Sequence, residues 1–430
     1  MAERSQVRVS GAQDGRSERP ATGYGEPEAG LGELTTSRRI VTGEMNDLPR
    51  HAYVHVPFCR HRCGYCDFTL VAGRDDLIDR YFAALAIELQ RVHEPLELDT
   101  LYLGGGTPSH LGPAGLRRLF GILRDRLQPA AAAELTVEAN PLDVTAEFVA
   151  ACRDCGVTRV SLGGQSLDAA TLKALDCDHT PIHVRAALGR LLDAGLVVNL
   201  DLMTAAPGQG LAAVQADLAA VATLGVQHVS VYCLTWEPGT AFESARRRGD
   251  LVPAEESLEQ AMFETAIDGL EAAGFEHYEV SNFARPGFRC RHNEAYWDCR
   301  PWEAFGPGAA RFDGRTRVTN HRSTTTWMSR VLAGEDASGD VDAMTAEQAA
   351  RERIVVGLRR RDGVDRGLFQ AASGFDVDAL VGDVIARWAT RGFATDDGRR
   401  VRLTRAGLLV SDALWADVLK EDGQPAHSAR

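Results

Sequence analysis

From about residue 53 onward, short apolar runs alternate with longer stretches whose apolar residues recur at helical spacing. The short runs are AYVHVPF (52–58), TLYLGGG (100–106), ELTVEAN (134–140), RVSLGGQS (159–166), VVNLDLMT (197–204) and HVSVYCLT (228–235). Most are rich in β-branched or aromatic residues, and turn-forming residues flank them, so each predicts a strand. Between them, DDLIDRYFAALAIELQRV and AGLRRLFGILRDRL carry apolar residues on one face of a 3.6-residue repeat and predict helices. Strand–helix alternation of this kind implies a parallel sheet with right-handed crossovers. Six such units, with no GxGxxG after the first strand, predict a partial (β/α)6 barrel of the TIM-like kind rather than a dinucleotide-binding sheet.

Polar residues fall where these strands are expected to end: Cys59, Gly105 to Thr107, Glu138, Gln165 and Asp201. In a parallel barrel the C-terminal strand ends share one rim, and that rim carries the chemistry. The barrel core is expected over residues 49–285. After it the pattern changes. An aromatic, Gly/Pro-rich segment, FRCRHNEAYWDCRPWEAFGPGAARF, opens a connecting region over 286–345. Residues 346–420 then read helix, helix, the hairpin GFATDDGRRVRLT and the helix AGLLVSDALWADVL, which is a winged-helix-like outline. Residues 1–48 are poor in apolar residues and are expected to be a disordered extension, with 421–430 a flexible tail.

Composition narrows the function classes. A net charge of −13 argues against strong sequence-independent nucleic-acid binding, so neither a nucleic-acid partner nor a DNA-binding role for the C-terminal wing is expected. No run reaches the eighteen or more apolar residues of a membrane helix, and the N-terminus has no secretory h-region. The expectation is a cytoplasmic protein, where nine cysteines are metal ligands and core residues rather than disulfides.

Three of the nine cluster as Cys59, Cys63 and Cys66, spaced C-x3-C-x2-C. His55 and His61 would be needed to complete a zinc site, yet His55 alternates with Tyr53 along a strand. Three thiolates on a loop leaving the first barrel strand fit a 4Fe-4S cluster with one iron left open. The amino and carboxylate groups of S-adenosylmethionine can fill that position, and an electron from the cluster then yields a 5′-deoxyadenosyl radical. Cys152 and Cys155 form a C-x2-C with no second knuckle nearby and read as helix-end and core residues, while Cys299 has no evident partner.

The cysteine spacing, with Tyr65 before the last cysteine, resembles the radical S-adenosylmethionine (radical SAM) superfamily. YVHVPFCRHRCGYCDF, LYLGGGTPS, VEANP, RVSLGGQS, DLMTAAPGQ, YEVSNFARPG and CRHNEAYW resemble its HemN/HemW branch, which holds oxygen-independent coproporphyrinogen oxidases and heme chaperones. The resemblance covers about Tyr53 to Leu419. It implies a cluster on Cys59, Cys63 and Cys66, and an S-adenosylmethionine pocket lined by Tyr53, Tyr65, Gly105, Gly106, Thr107, Glu138, Gln165, Asp201 and Cys233. CRHNEAYW is similar to the chaperones' HNxxYW motif. It implies His292 as a heme contact, with Tyr296 and Trp297 able to stack on the macrocycle. The partners so implied are heme, heme-receiving apoproteins and an electron donor such as flavodoxin or ferredoxin.

Coproporphyrinogen oxidases carry a further cysteine where this chain has Phe68, which argues against that activity. Two departures keep a methyltransferase or cyclopropane-forming enzyme of the same branch open. Cys177 occupies the slot of an arginine that would meet the methionine carboxylate, and Ala310 replaces a histidine.

Anaerobic reconstitution should give about four iron atoms per chain, the content of one 4Fe-4S cluster. Replacing Cys59, Cys63 and Cys66 with Ala should abolish the broad visible absorbance, and replacing Cys152 and Cys155 should not. A requirement for the second pair would overturn the assignment.

Overall fold

A computed structural model of the protein describes residues 48–419. The extension expected over 1–48 and the tail over 421–430 lie outside the described residues, apart from Leu48.

All six expected strands form, and all run parallel: His51–Val56, Leu96–Gly105, Leu127–Ala139, Arg159–Gln165, Val197–Thr204 and His228–Cys233. They are called first to sixth below. They lie side by side in sequence order, with a helix in every crossover, as the alternating pattern requires. Past the sixth strand the sheet continues antiparallel through Asn282–Ala284 and Glu276–Glu279. At the other edge Glu303–Phe305, from the aromatic connecting segment, pairs parallel with the first strand. The two edge strands do not pair with each other, so the sheet is an open barrel of nine strands.

Side chains alternate across this sheet, interrupted by register shifts at Leu98/Thr100 and Gly163/Gln165. Ala52, Val54 and Val56, then Leu101 and Leu103, Val160 and Leu162, Val198 and Leu200, and Val229 and Val231 belong to one apolar core with the helices. The intervening residues are polar yet buried: His51 and His55, Thr100, Thr136, Arg159 and Ser161, Asn199 and Asp201, His228 and Ser230. A sheet with helices on one face and hydrogen-bonding side chains on the other explains why the runs read as β without being uniformly apolar.

The third strand begins earlier than its composition indicates. LQPAAAAEL looks helical, but Pro129 blocks a helix, and Leu127 pairs with Leu96 of the second strand. Pairing on both sides of the alanines, at 127–129 and again from Glu134, holds the segment extended against their helix propensity. Asp201, expected at a strand end, sits mid-strand with three residues still to follow, and points into the barrel at 4 % exposure.

The connecting region folds into the helix Arg291–Trp297, the edge strand, a three-stranded meander (Ala310–Phe312, Thr316–Asn320, Ser338–Ala343) and the helix Thr324–Leu332. Beyond it, helices Ala346–Leu358, Arg366–Ser373 and Val377–Thr390 pack with a three-stranded sheet in which Arg400–Leu403 is central. The expected hairpin is there as Ala394–Asp396 and Arg400–Leu403, turned at Gly398 with φ 80°. The last helix breaks into Arg405–Leu409 and Ser411–Val418. Residues 359–361 bond to the edge strand through Val280 N to Arg359 O and Arg361 N to Tyr278 O, both 3.0 Å, covering a sheet edge that would otherwise be open.

One buried carboxylate joins the first helix, Ile78–Glu88, to the connecting region. Glu88 accepts from Gly306 N at 2.8 Å, from Asn320 Nδ2 at 2.6 Å and from Arg91 at 2.9 Å. Glu88→Ala strands these donors in the interior and should cost roughly 2–4 kcal/mol in chemical denaturation. Glu88→Gln, which keeps an acceptor oxygen, should cost less.

Candidate functional site

The cluster loop is built onto the end of the first strand. Phe58–Cys59 pairs in parallel with Val71–Ala72, so residues 60–70 return as a closed loop. His55 fixes its exit: Nε2 bonds Thr69 O at 2.6 Å, and Nδ1 meets Tyr53 OH at 3.1 Å. That pairing makes His55 a brace rather than a metal ligand. Arg62 donates to the carbonyls of Cys66 at 3.1 Å and Leu70 at 2.8 Å, and Cys66 N donates to Cys63 O at 3.0 Å. Cys59 and Cys66 are buried and Cys63 is half-buried.

The glycine-rich end of the second strand lies against this loop. Gly106 N donates to Val56 O, and Thr107 N to Phe58 O, both at 2.8 Å. A Cβ on Gly106 would stand 2.8 Å from Phe58 O, so only glycine permits this approach. Thr107 Oγ1 meets Cys59 Sγ at 3.0 Å. Burial pushes the Cys59 thiol up to about 12, opposed by that hydrogen bond.

Glu138, Gln165, Asp201 and Cys233 arrive from the next four strands. Glu138 accepts from Tyr102 OH at 2.9 Å and from Gly105 N at 3.1 Å. Gln165 has φ 61°, and its buried Oε1 has no partner among the described residues. Cys233 Sγ meets Thr204 Oγ1 at 3.3 Å. Asp201 is held by Asn199 Nδ2 at 2.8 Å and Ser161 Oγ at 3.2 Å. Burial, with the nearby Glu138 charge, lifts its carboxyl to about 7. Tyr53 stacks on Tyr102 at 6.1 Å, and Tyr65 packs edge-on against Phe242 at 6.1 Å.

The loop after the fourth strand closes over the cluster loop. His61 Nε2 meets Asp176 Oδ2 at 3.1 Å, and Cys177 hydrogen-bonds Cys63 directly. The sequence reading did not single out Ser161, Asn199, Ser230 and His228, which support Asp201, or Asp217, which caps Ser166 at 2.6 Å. The strand residues among them carried a signal, polar residues at every second position of otherwise apolar strands, whereas Asp217 lies on the helix Leu211–Val221 and carried none. Cys152 belongs to the apolar core beneath the helices.

His292 is fully buried. Its Nδ1 meets Thr100 Oγ1 at 2.7 Å, and its Nε2 meets Tyr296 OH at 3.0 Å. Both ring nitrogens are engaged by hydroxyls, and ligation of an iron would require the imidazole to give up one of these bonds. Trp297 lies against the Arg359 guanidinium at 5.7 Å, and Tyr296 packs on Trp302 at 4.5 Å. These rings are therefore spent on protein contacts.

Residues 53–220 match the radical SAM superfamily, and residues 344–410 match the HemN C-terminal domain. A heme chaperone HemW of Mycobacterium tuberculosis is 37 % identical over 385 residues, covering 87 % of this chain and 96 % of its own length. The chain belongs to the HemW family of radical SAM proteins. The HemW of Bacillus subtilis is 31 % identical over 378 residues, 86 % of this chain and 100 % of that protein. Coproporphyrinogen III oxidase (HemN) of Escherichia coli superposes with a TM-score of 0.77 at 22 % identity, over 87 % of this chain and 90 % of that one, which shows a shared fold.

HemW family membership implies a 4Fe-4S cluster and S-adenosylmethionine, and the rim fits both. Among the described residues no three His, Cys, Asp or Glu side chains form a site for a single metal ion. A cubane differs from an ion in that each thiolate binds a different iron, so three thiols gathered in one loop group suit it. The orphaned Gln165 Oε1 and the glycine cradle at 104–106 suit a polar adenosyl ligand.

The raised Asp201 carboxyl gives a pH signature in the cofactor-free protein. Folding holds a proton that the unfolded chain releases above its ordinary value of 3.8. Its contribution is therefore present below that value and lost as pH rises toward about 7. The slope should reach at most about 1.4 kcal/mol per pH unit. Denaturation of wild type and Asp201→Asn across this window checks it: their stability difference should change with pH, although Glu279, also lifted to about 7, adds a slope common to both.

Proposed function

We propose that this chain is a radical SAM heme chaperone that binds heme and transfers it to apoproteins. The observation that carries this reading is identity of 31–37 % to proteins named heme chaperone HemW along nearly the whole chain. In this reading Cys59, Cys63 and Cys66 hold the cluster. Tyr53, Tyr65, Gly105, Gly106, Thr107, Glu138, Gln165, Asp201 and Cys233 line the S-adenosylmethionine pocket. When bound, a three-thiolate cluster supplies an open iron position and a transferable electron. The chain's own residues do the positioning: His55 and Arg62 fix the loop, and Glu138 clamps Gly105 and Tyr102. The electron would come from a flavodoxin- or ferredoxin-type donor. None of the described helices is long and apolar enough to cross a membrane, which accords with a cytoplasmic site of action.

The hydrogen bonds of His292 favour a positioning role, joining the HNxxYW helix to the barrel, over direct ligation of heme. Wild-type protein titrated anaerobically with heme should show a shifted Soret band. His292→Ala should keep that band and its cluster, but lose about 1–3 kcal/mol of stability because the Thr100 and Tyr296 hydroxyls lose their partner. A folded variant without the Soret shift would make His292 the ligand. A wild type that binds no heme would put methyl transfer or cyclopropane formation first, the reading that Cys177 and Ala310 keep alive.

A further inference from the structure

The cluster loop has a fourth cysteine beside it. Cys177 and Cys63 are side-chain neighbours, hydrogen-bonded to each other. A second contact holds their loops together: the His61–Asp176 pair at 3.1 Å lies just before both cysteines. The cluster loop is also anchored to the helix Ala241–Arg248, where Phe242 N donates to Gly64 O at 2.9 Å. Asp176 has φ 56°, a left-handed turn that redirects the chain at Cys177. Tyr65 and Cys177 then pack on the same apolar group, Leu175, Met203, Leu234 and Phe242.

Exposure separates Cys63 from the other two cysteines of its loop. Cys59 and Cys66 are buried, whereas Cys63 and Cys177 are both half-buried and reachable from solvent. Neighbouring thiols on loops tied together by the His61–Asp176 pair are placed to close the roughly 2 Å bond of a disulfide.

We propose that Cys63 and Cys177 form a reversible disulfide in the cluster-free protein, an oxidant-responsive lock on the cluster loop. With hydrogen peroxide as oxidant the step balances. The Cys63 sulfur attacks one peroxide oxygen, giving a sulfenic acid and one water. The Cys177 sulfur then attacks Cys63, forming the S–S bond and releasing a second water. Two thiols are oxidised and one peroxide is reduced. A dithiol reverses the bond by exchange. The bond withdraws Cys63 from iron and spares it irreversible oxidation. This consequence rests on Cys63 being a cluster ligand, but the bond itself does not, and it is independent of heme handling.

The test uses cluster-free full-length protein, treated with one equivalent of hydrogen peroxide and alkylated under denaturing conditions. Wild type should fall from nine alkylatable thiols to seven, the difference being the two joined cysteines. Peptide mapping should join Cys63 to Cys177. Reconstitution with iron and sulfide should then fail until dithiothreitol is added. Cys177→Ser and Cys177→Ala should form no such bond, and after the same oxidation dithiothreitol should restore less cluster than in wild type. Nine thiols retained in the wild type, or a bond mapped within Cys59, Cys63 and Cys66, would overturn the proposal. The wild-type map decides it even if both variants fold poorly.

Discussion

Everything at the rim depends on one constraint: the inner face of the barrel is polar and out of water, so its side chains must satisfy one another. Asp201 bonds Asn199, whose Oδ1 meets His228 Nδ1 at 2.5 Å, and His228 Nε2 meets Tyr278 OH at 2.8 Å. Tyr278 OH accepts from Cys290 N, and Cys290 Sγ meets Glu134, which pairs with the buried Arg159. His292 N also donates to Glu134, and its ring reaches Thr100, which in turn meets His51. Losing one member leaves others unpaired in low dielectric, so such a column specifies strand register more sharply than an apolar filling.

This column explains the placement of the connecting region. The helix Arg291–Trp297 begins where Cys290 and His292 engage Glu134, and it ends where Trp297 meets Arg359 of the C-terminal helices. The HNxxYW motif thereby links barrel interior and C-terminal domain through one helical turn on each side. Burial holds the His292 imidazole neutral, down at about 3, as a hydrogen-bonding strut requires.

At the rim, strand direction and glycine do the work. Parallel strands deliver the cluster loop, the Gly-rich turn, Glu138, Gln165 and Cys233 to one end of the sheet, and the absent Cβ of Gly106 lets the second strand's exit lie on the cluster loop. Cys177 lies beside the cluster loop. Its contact with Cys63 puts a sulfur next to a sulfur at the one partly open cysteine of the three.

The sequence alone determined the six parallel strands and their order, because hydrophobic period and crossover length are local properties that admit few topologies. It also singled out Cys59, Cys63 and Cys66 as one group, since C-x3-C-x2-C on one short loop needs no distant residue to make sense. Tertiary structure decided the rest. Asp201 moved from strand end to barrel interior because pleat and register, not the end of an apolar run, set its direction. Residues 127–129 became strand because the second strand offered them partners, and the alanines at 130–133 fall in the register shift between that stretch and the pairing resumed at Glu134. His292 found Thr100 and Tyr296, and Cys177 found Cys63. Hydrogen bonds made across 192 and 114 residues of chain respectively depend on how the finished barrel brings its loops together, which no local pattern records.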